Sequence, residues 1–399
     1  MASEIAGGNS GQDFGQVERG RYLAIVGDCA ACHTKAGGVE FAGGRAIETP
    51  FGRIVSTNIT PDKETGIGRW TDDEFVNAVR QGVRPDGSHL YPAMPYPYFT
   101  KVRREDVLAI RAYLETLPAV RNSVVSDQLP FPLNVRSDLA AWKQINFTPG
   151  EFHPDPGKSD QWNRGAYLVG GLMHCGSCHT PKNISGGDKT SEALQGYPLQ
   201  GWFAPDLTQD RRHGLGSWTS DDIVTYLKTG HNRFAGAAGP MADEVERSSS
   251  KMSEHDLRAV AIWIKDQPVP KETSSSPVDR SNATMKAGAA IYNDECSACH
   301  APMGTGVSGL FPALAGSPAV QSTNTTSMIH VVLAGTQTVA TDGAPTAPSM
   351  PGFGWLLTDR QAAAVLTYIR NAWGNGASGV SSEDVAKTRA ALAKTASGG

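Results

Sequence analysis

Three short segments of the chain combine two cysteines and a histidine in the same spacing. All six cysteines of the 399-residue chain lie in these segments. Two thiols on one helical turn can each add to a haem vinyl group, and the histidine that follows can then supply a nitrogen to the iron. The spacing therefore predicts three covalently attached haem c groups. The segments CAACH, CGSCH and CSACH comprise Cys29, Cys32 and His33; Cys175, Cys178 and His179; and Cys296, Cys299 and His300.

Two other chemistries use a C-x-x-C pair, and both fit this pattern less well. A structural zinc site needs four ligands, so such pairs would come in twos, and three copies leave one pair over. A redox dithiol of the thioredoxin type would occur once, in a βαβ context that the sequence does not show. The histidine at the same offset in all three copies favours haem attachment.

The first two motifs are each followed by a related stretch of sequence. STNITPDKETGIGRWTDDEFVNAVRQG after the first motif matches APDLTQDRRHGLGSWTSDDIVTYLKTG after the second. The matching residues keep an offset of 148, and Cys29 and Cys175 are 146 residues apart. The repeat predicts two homologous domains arranged head to tail. The matched pairs are Asp62 and Asp210, Gly66 and Gly214, Gly68 and Gly216, and Trp70 and Trp218.

Methionine is a second axial ligand that haem iron accepts, and the repeat points to one methionine per motif. Met94 lies in the proline-rich loop YPAMPYPYF, and Met241 follows it by 147 residues in the same register. Met350 lies in APSMPGFGWLLTD, before the last predicted helix of the third domain. We predict these three methionines as axial iron ligands opposite the motif histidines. The alternatives are Met252 for the second site, and Met303, Met328 or His330 for the third.

Helical patterns surround the motifs. Each motif lies on a predicted short helix. A helix with a capping box follows in the first two repeats (Thr71 with Glu74, Thr219 with Asp222). REDVLAIRAYLETLP and its two counterparts predict a closing helix in each repeat. The sequence thus predicts an all-α chain of three tandem class I cytochrome c domains, each a small helical bundle around a covalent haem.

Linker composition sets the predicted boundaries. A proline-rich connector follows the first domain and is expected to wrap a neighbouring domain or a partner, and a Ser/Pro linker precedes the third domain. The predicted ranges are 1–122 (first domain), 123–160 (connector), 161–268 (second domain), 269–282 (linker), 283–380 (third domain) and 381–399 (a tail with one helix).

Composition limits the environment of the chain. The net charge of −4, without a basic stripe, argues against nucleic acid as a partner. No apolar run reaches the length of a membrane span, and the polar start MASEIAGGNSGQ does not have the profile of a signal peptide. Because covalent haem attachment takes place in the bacterial periplasm, we expect an exported protein whose leader is absent from this sequence.

The motifs RGRYLAIVGDCAACHT, YPAMPYPYFT and CSACHAPMGTGVSGLFPALAGSP resemble the triheme cytochrome c subunits of bacterial membrane-associated dehydrogenases. The resemblance implies a subunit that takes electrons from a separate catalytic subunit and passes them to ubiquinone at the periplasmic membrane face. WNRGAYLVGGLMHCGSCHTPKN is similar to the cytochromes that serve molybdenum-type aldehyde dehydrogenases, which also implies a small iron–sulfur subunit as a partner. Quinoprotein (PQQ) alcohol dehydrogenases and flavin-dependent sugar or polyol dehydrogenases are the alternative partners.

Three functions compete for such a chain. An electron conduit suits haems with both axial positions filled, and such a chain would not be catalytic on its own. A multihaem peroxidase needs an open iron with acid and base groups beside it, and a methionine for every haem counts against that. A soluble shuttle between complexes is the third possibility, and three domains on long linkers fit a fixed subunit better.

Overall fold

The computed structural model of the chain describes residues 13–125, 127–270 and 275–397. The start of the first predicted domain (1–12), residue 126 of the predicted connector, four residues of the predicted linker and the last two residues of the tail lie outside the described residues. The α-helices are α1 Phe14–Val26, α2 Cys29–His33, α3 Asp72–Gln81, α4 Tyr96–Phe99, α5 Arg104–Leu114, α6 Leu139–Asn146, α7 Asp160–Tyr167, α8 Gly176–His179, α9 Ser220–Thr229, α10 Pro240–Arg247, α11 Glu254–Lys265, α12 Ala283–Ile291, α13 Ser297–His300, α14 Pro318–Gln321, α15 Thr326–Ala334, α16 Asp359–Ile369 and α17 Ser382–Ser397.

Short antiparallel strands accompany the helices. They form one three-stranded sheet in the order β1-β2-β3 and two two-stranded pairs, β4-β5 and β6-β7. The chain is helix-rich, as predicted, but the all-α description omitted these strand pairs. Strands of two to four residues show too little alternation for a sequence pattern to reveal them. Their bounds are β1 Ala46–Thr49, β2 Gly52–Val55, β3 Asp127–Gln128, β4 Tyr197–Leu199, β5 Trp202–Ala204, β6 Thr336–Gln337 and β7 Ser349–Met350.

The chain divides into two compact units, Met1–Phe152 and His153–Gly399. The first unit contains the first C-x-x-C-H motif together with α6, which belongs to the predicted connector. The second unit contains the other two motifs. No helix among the described residues is long and apolar enough to cross a bilayer.

One helix crossing occurs three times. The helix that leads to each motif packs against the closing helix of the same repeat: α1 against α5, α7 against α11, and α12 against α16. A glycine lies at each crossing, opposite a backbone carbonyl. A Cβ built on Gly20, Gly165 or Gly288 would lie 1.8, 2.0 or 2.2 Å from the carbonyl oxygen of Ala109, Ala259 or Ala364. Only glycine allows these helix axes to approach so closely.

An ion pair lies beside the crossing in the first two repeats. Arg19 precedes Gly20 and donates through Nε and Nη2 to Oδ1 of Asp106 on α5. Arg164 precedes Gly165 and donates to both oxygens of Asp256 on α11, at 2.8 and 2.7 Å. Both aspartates are buried, so each arginine neutralises a carboxylate that would otherwise be costly to bury.

The residues shared between the first two repeats build the same turn. The Asp62 side chain accepts the backbone N–H of Thr65 at 2.6 Å, and the Asp210 side chain accepts that of His213 at 2.7 Å. A Cβ on Gly66 would lie 2.2 Å from the Thr60 carbonyl oxygen, so the turn excludes a side chain there. The matched aspartates and glycines therefore stabilise a tight loop and are not reactive groups.

The two predicted capping boxes are confirmed. The Thr71 hydroxyl accepts the Glu74 N–H at 3.2 Å while Glu74 accepts the Thr71 N–H at 2.7 Å. Thr219 and Asp222 form the same reciprocal pair at the start of α9. Thr358 begins α16 with a third box, which the sequence analysis did not predict. Each box satisfies backbone donors that the first helical turn leaves unpaired.

Candidate haem sites

The three motifs occupy equivalent places, each at the end of the helix that enters the glycine crossing. In the second and third repeats a π-helical turn, Leu168–Leu172 or Tyr292–Cys296, leads into the motif. In the first repeat Asp28 precedes Cys29 with φ 51°, and in the second His174 precedes Cys175 with φ 39°. These local departures from α-helical geometry turn the chain so that the motif begins a new short helix.

Each motif histidine is held by a backbone carbonyl. His33 Nδ1 donates to the carbonyl oxygen of Thr57 at 2.6 Å, and His179 Nδ1 donates to that of Pro205 at 2.7 Å. His300 Nδ1 lies 3.3 Å from the carbonyl oxygen of Pro312. A proton on Nδ1 leaves the lone pair of Nε2 for a metal and fixes the orientation of the ring.

Electrostatics favour the neutral form of these rings. Burial lowers the pKa of His33, His179 and His300, only partly countered by the carbonyl acceptors. Neutral imidazole is the form that binds iron, so the pKa shift and the hydrogen bond act in the same direction. This donor arrangement, repeated three times, fits an iron ligand in each repeat.

The six cysteines are thiols and not disulfide partners, as attachment to haem requires. Burial raises the pKa of Cys29 and of Cys175 to about 12, and that of Cys296 to about 11. These thiols are protonated at neutral pH and do not have the lowered pKa of a catalytic dithiol. For Cys29, Cys175 and Cys296 the raised pKa therefore argues against a redox dithiol.

The predicted methionine ligands lie in different local structures. Met94 is in the loop between α3 and α4 and is partly buried. Met241 is the second residue of α10 and packs against buried Ala237 and Val245. Met350 ends β7 and packs against the core of the third repeat. Their role as axial ligands remains a prediction, because the fold shows only where each thioether is carried.

The alternative ligands differ in solvent exposure and in their contacts. Met252 is 1% exposed and belongs to the packed interior of the second repeat. Met303 is 63% exposed. The sulfur of Met328 lies 3.8 Å from Nη1 of Arg370, and His330 Nδ1 donates to the carbonyl oxygen of Gly201 at 2.9 Å. Met241 and Met350 remain the predicted ligands, and the exposure of Met303 argues against it as a ligand.

His174 immediately precedes Cys175, and the sequence predicts it at the surface or on the propionate side of the second haem. It is partly buried. Burial lowers the pKa of His174 to about 4, so it is neutral at physiological pH. Its contribution is the positive-φ backbone that starts the motif, a property that the two-histidine pattern HCGSCH conceals.

The connector packs over the Met94 loop. The sequence predicted only that the connector would wrap a neighbouring domain or a partner. Lys143 on α6 donates to the carbonyl oxygens of Gln81 and Gly82 at 2.6 and 2.9 Å. The Tyr91 hydroxyl donates to the Leu133 carbonyl oxygen at 2.8 Å. Tyr91 and Tyr96 flank Met94, and Tyr96 packs edge-on against aromatic rings of the connector. The connector thus encloses the loop from outside.

Comparison with known proteins identifies the class first. The cytochrome c family matches residues 285–373, which include the third motif and Met350. This assigns covalent haem c chemistry to that part of the chain.

Relatives that cover most of the chain then define the family more closely. The gluconate 2-dehydrogenase cytochrome c subunit of Pantoea cypripedii is 42% identical over 94% of this chain and 89% of its own length. The cytochrome c subunit of the quinone alcohol dehydrogenase of Gluconacetobacter polyoxogenes is 41% identical over 97% of this chain and 87% of its own. The fructose dehydrogenase cytochrome subunit of Gluconobacter japonicus is 38% identical over 96% and 85%. The chain belongs to the family of cytochrome c subunits of bacterial dehydrogenases, which confirms the resemblance indicated by its motifs.

Proposed function

We propose that this chain is a triheme electron-transfer subunit made of three tandem class I cytochrome c domains. It would accept electrons from a separate catalytic dehydrogenase subunit and deliver them to ubiquinone at the periplasmic face of the bacterial membrane. The observation that carries the proposal is the threefold repetition of one arrangement: a C-x-x-C-H motif, a proximal histidine held by a carbonyl, and a glycine crossing behind it.

The residues of the chain have defined roles in this proposal. In each repeat the two motif cysteines would hold the haem covalently, and the motif histidine would supply Nε2 to the iron. Met94, Met241 and Met350 would supply the second iron ligand of the three haems. When bound, haem supplies reversible one-electron chemistry, and a His/Met ligand pair raises its potential. A methionine on each iron would leave no open position for substrate, which suits a conduit and does not suit a peroxidase.

The partner proposal comes from the relatives, which are named as subunits of alcohol, gluconate and fructose dehydrogenases. A dehydrogenase complex is therefore the assembly in which we place this chain. The sequence around Cys175 is similar to cytochromes that serve molybdenum-type aldehyde dehydrogenases. We therefore propose such an enzyme, with a small iron–sulfur subunit, as the first partner to test. PQQ alcohol dehydrogenases and flavin-dependent sugar or polyol dehydrogenases remain the alternative partners to test.

The haem content is tested by the mass of the denatured chain, because thioether-linked haem remains on the polypeptide. We expect three haems on the native chain and two on a Cys175→Ser/Cys178→Ser variant. A matched Ser177→Ala variant, which changes the same motif without touching a thiol, should keep three. A native chain with one or two haems would contradict the triheme assignment.

The electron-transfer role is tested on the native complex. Copurification with analysis for molybdenum, PQQ and flavin identifies the catalytic partner, and reduction of a ubiquinone analogue by the intact complex tests the acceptor. Substrate oxidation by the isolated chain, or carbon monoxide binding at all of its irons, would contradict the conduit proposal.

A further inference from the structure

In the first two repeats, the helix before the predicted methionine ligand (α3 or α9) ends at a glycine. The segment that packs on this helix end differs between the two repeats. Gly82 and Gly230, 148 residues apart, terminate α3 and α9 with φ values of 60° and 79°. In the first repeat Lys143 of the connector binds the Gly82 carbonyl oxygen. The second repeat has no corresponding connector helix among its described residues, and a residue of the third repeat packs on the end of α9.

That residue is Val339. A Cβ built on Gly230 would lie 2.3 Å from Cγ1 of Val339, so the valine lies directly on this helix end. Val339 is 8% exposed and forms one hydrophobic cluster with Ala237 and Val245, which are both 0% exposed. Met241 packs against the same cluster. Val339 is therefore buried by the second repeat, although it belongs to the third.

Val339 lies in the hairpin that also carries Met350. In this hairpin β6 pairs with β7 in a register that places Thr336 opposite Met350. The Thr338 N–H donates to the Pro348 carbonyl oxygen at 3.0 Å, which extends the pairing to the residue before Val339. Because backbone hydrogen bonds join the two strands, Val339 and Met350 belong to one local structure.

A second contact from the third repeat supports the Met241 segment from another direction. His330 of α15 stacks on Trp202 with ring centroids 4.1 Å apart. Trp202 in turn packs on Gly239, where a Cβ would lie 2.5 Å from the indole ring. Gly239 is two residues before Met241. The segment that carries Met241 is thus confined by Trp202 and by Val339, and both are held by the third repeat.

We propose that Val339 is a positioning residue for Met241, and that the β6-β7 hairpin couples the methionine side of the second haem site to that of the third. The inference rests on the proposed role of Met241 as an axial ligand. Loosening Val339 should allow the 237–245 segment to open locally while the rest of the second repeat stays folded.

The test uses the native, fully haem-loaded chain and follows the absorption band of oxidised, methionine-ligated haem c as temperature rises. Val339→Ala removes two buried methyl groups and should raise the open population of the Met241 segment roughly tenfold. We expect about one third of the band, the share of one site in three, to disappear at a lower temperature than in the native chain. Redox titration should show a lowered potential for the same single haem.

Val380→Ala is the matched control. Val380 is also 8% exposed, but it is buried in the third repeat's own core. Its truncation should leave the Met241 share of the band unchanged. The positioning role would be overturned if both substitutions had an equal effect on the methionine–haem band. It would also be overturned if the native band came from three sites and Val339→Ala did not change it. Neither result would affect the proposed function. A native chain whose second haem lacks the methionine band would refute the ligand assignment, and the inference with it.

Discussion

Replacing Gly20 by alanine tests whether the close helix crossing holds the first repeat together. The new Cβ would lie 1.8 Å from the Ala109 carbonyl oxygen and 2.4 Å from its carbon. Both atoms belong to the backbone of α5, so no side chain can rotate to make room. The helices must separate by about 1 Å or more, and overpacking of this kind costs roughly 1–3 kcal/mol.

Two effects set the net magnitude. Alanine is favoured over glycine inside a helix by about 1 kcal/mol, which offsets part of the strain. Separation of α1 from α5 also strains the ion pair between Arg19 and buried Asp106, which adds to the cost. We expect a net loss of about 2 kcal/mol in local stability, and this corresponds to a roughly 30-fold faster exchange of protected amides.

Hydrogen–deuterium exchange followed by mass spectrometry on α1 and α5 peptides measures this loss directly. Gly15→Ala in the same helix is the matched control, because its Cβ would meet only the Asp13 side chain, at 3.2 Å. The control should be neutral or slightly stabilising. If Gly20→Ala exchanged no faster than Gly15→Ala, the crossing would not be the close contact on which this reasoning depends.

Three further predictions concern the second repeat. Met241→Leu should remove about one third of the methionine–haem absorption band while Met252→Leu retains it, and the reverse result would move the ligand to Met252. Burial raises the pKa of Glu244 from the ordinary glutamate value of 4.5 to about 7. Between these two pH values the native state keeps a proton that the unfolded state releases. The free energy of unfolding should therefore fall as the pH rises from 4.5 to 7. Glu244→Gln should reduce this pH dependence, as measured by urea titrations at several pH values. Asp256→Asn should cost about 2 kcal/mol of unfolding free energy because it leaves Arg164 without its buried charge partner, and a cost below about 0.5 kcal/mol would refute this.

Local sequence patterns predicted those features that depend on a few neighbouring residues. The capping boxes at Thr71 and Thr219 are confirmed because a cap is a contact between residues three apart. The helix-rich character is confirmed for the same reason. The strand pairs were missed because they are too short to show alternation. The third box, Thr358 with Gln361, fits the same local pattern but was not predicted.

Contacts between distant segments could not be inferred in this way. Nothing near Lys143 in sequence indicates that its ammonium group binds carbonyl oxygens at the end of α3, more than sixty residues earlier. The histidine acceptors also escape a sequence pattern, because backbone carbonyls leave no mark on residue type. Thr57 and Pro205 are 148 residues apart, however, so the repeat register contained a signal for that equivalence.

The sequence by itself determined the chemistry that each motif can perform, because thiol spacing and the adjacent histidine are covalent facts of the chain. It also determined the repeat, since matched glycines and aspartates meet the same local backbone demands. Only the tertiary structure decided which segments enclose the methionines: the connector over Met94, and the third repeat's hairpin over Met241. Burial and long-range packing select those partners, and a residue such as Val339 shows its role only when the chain brings it beside a helix that ends more than a hundred residues earlier.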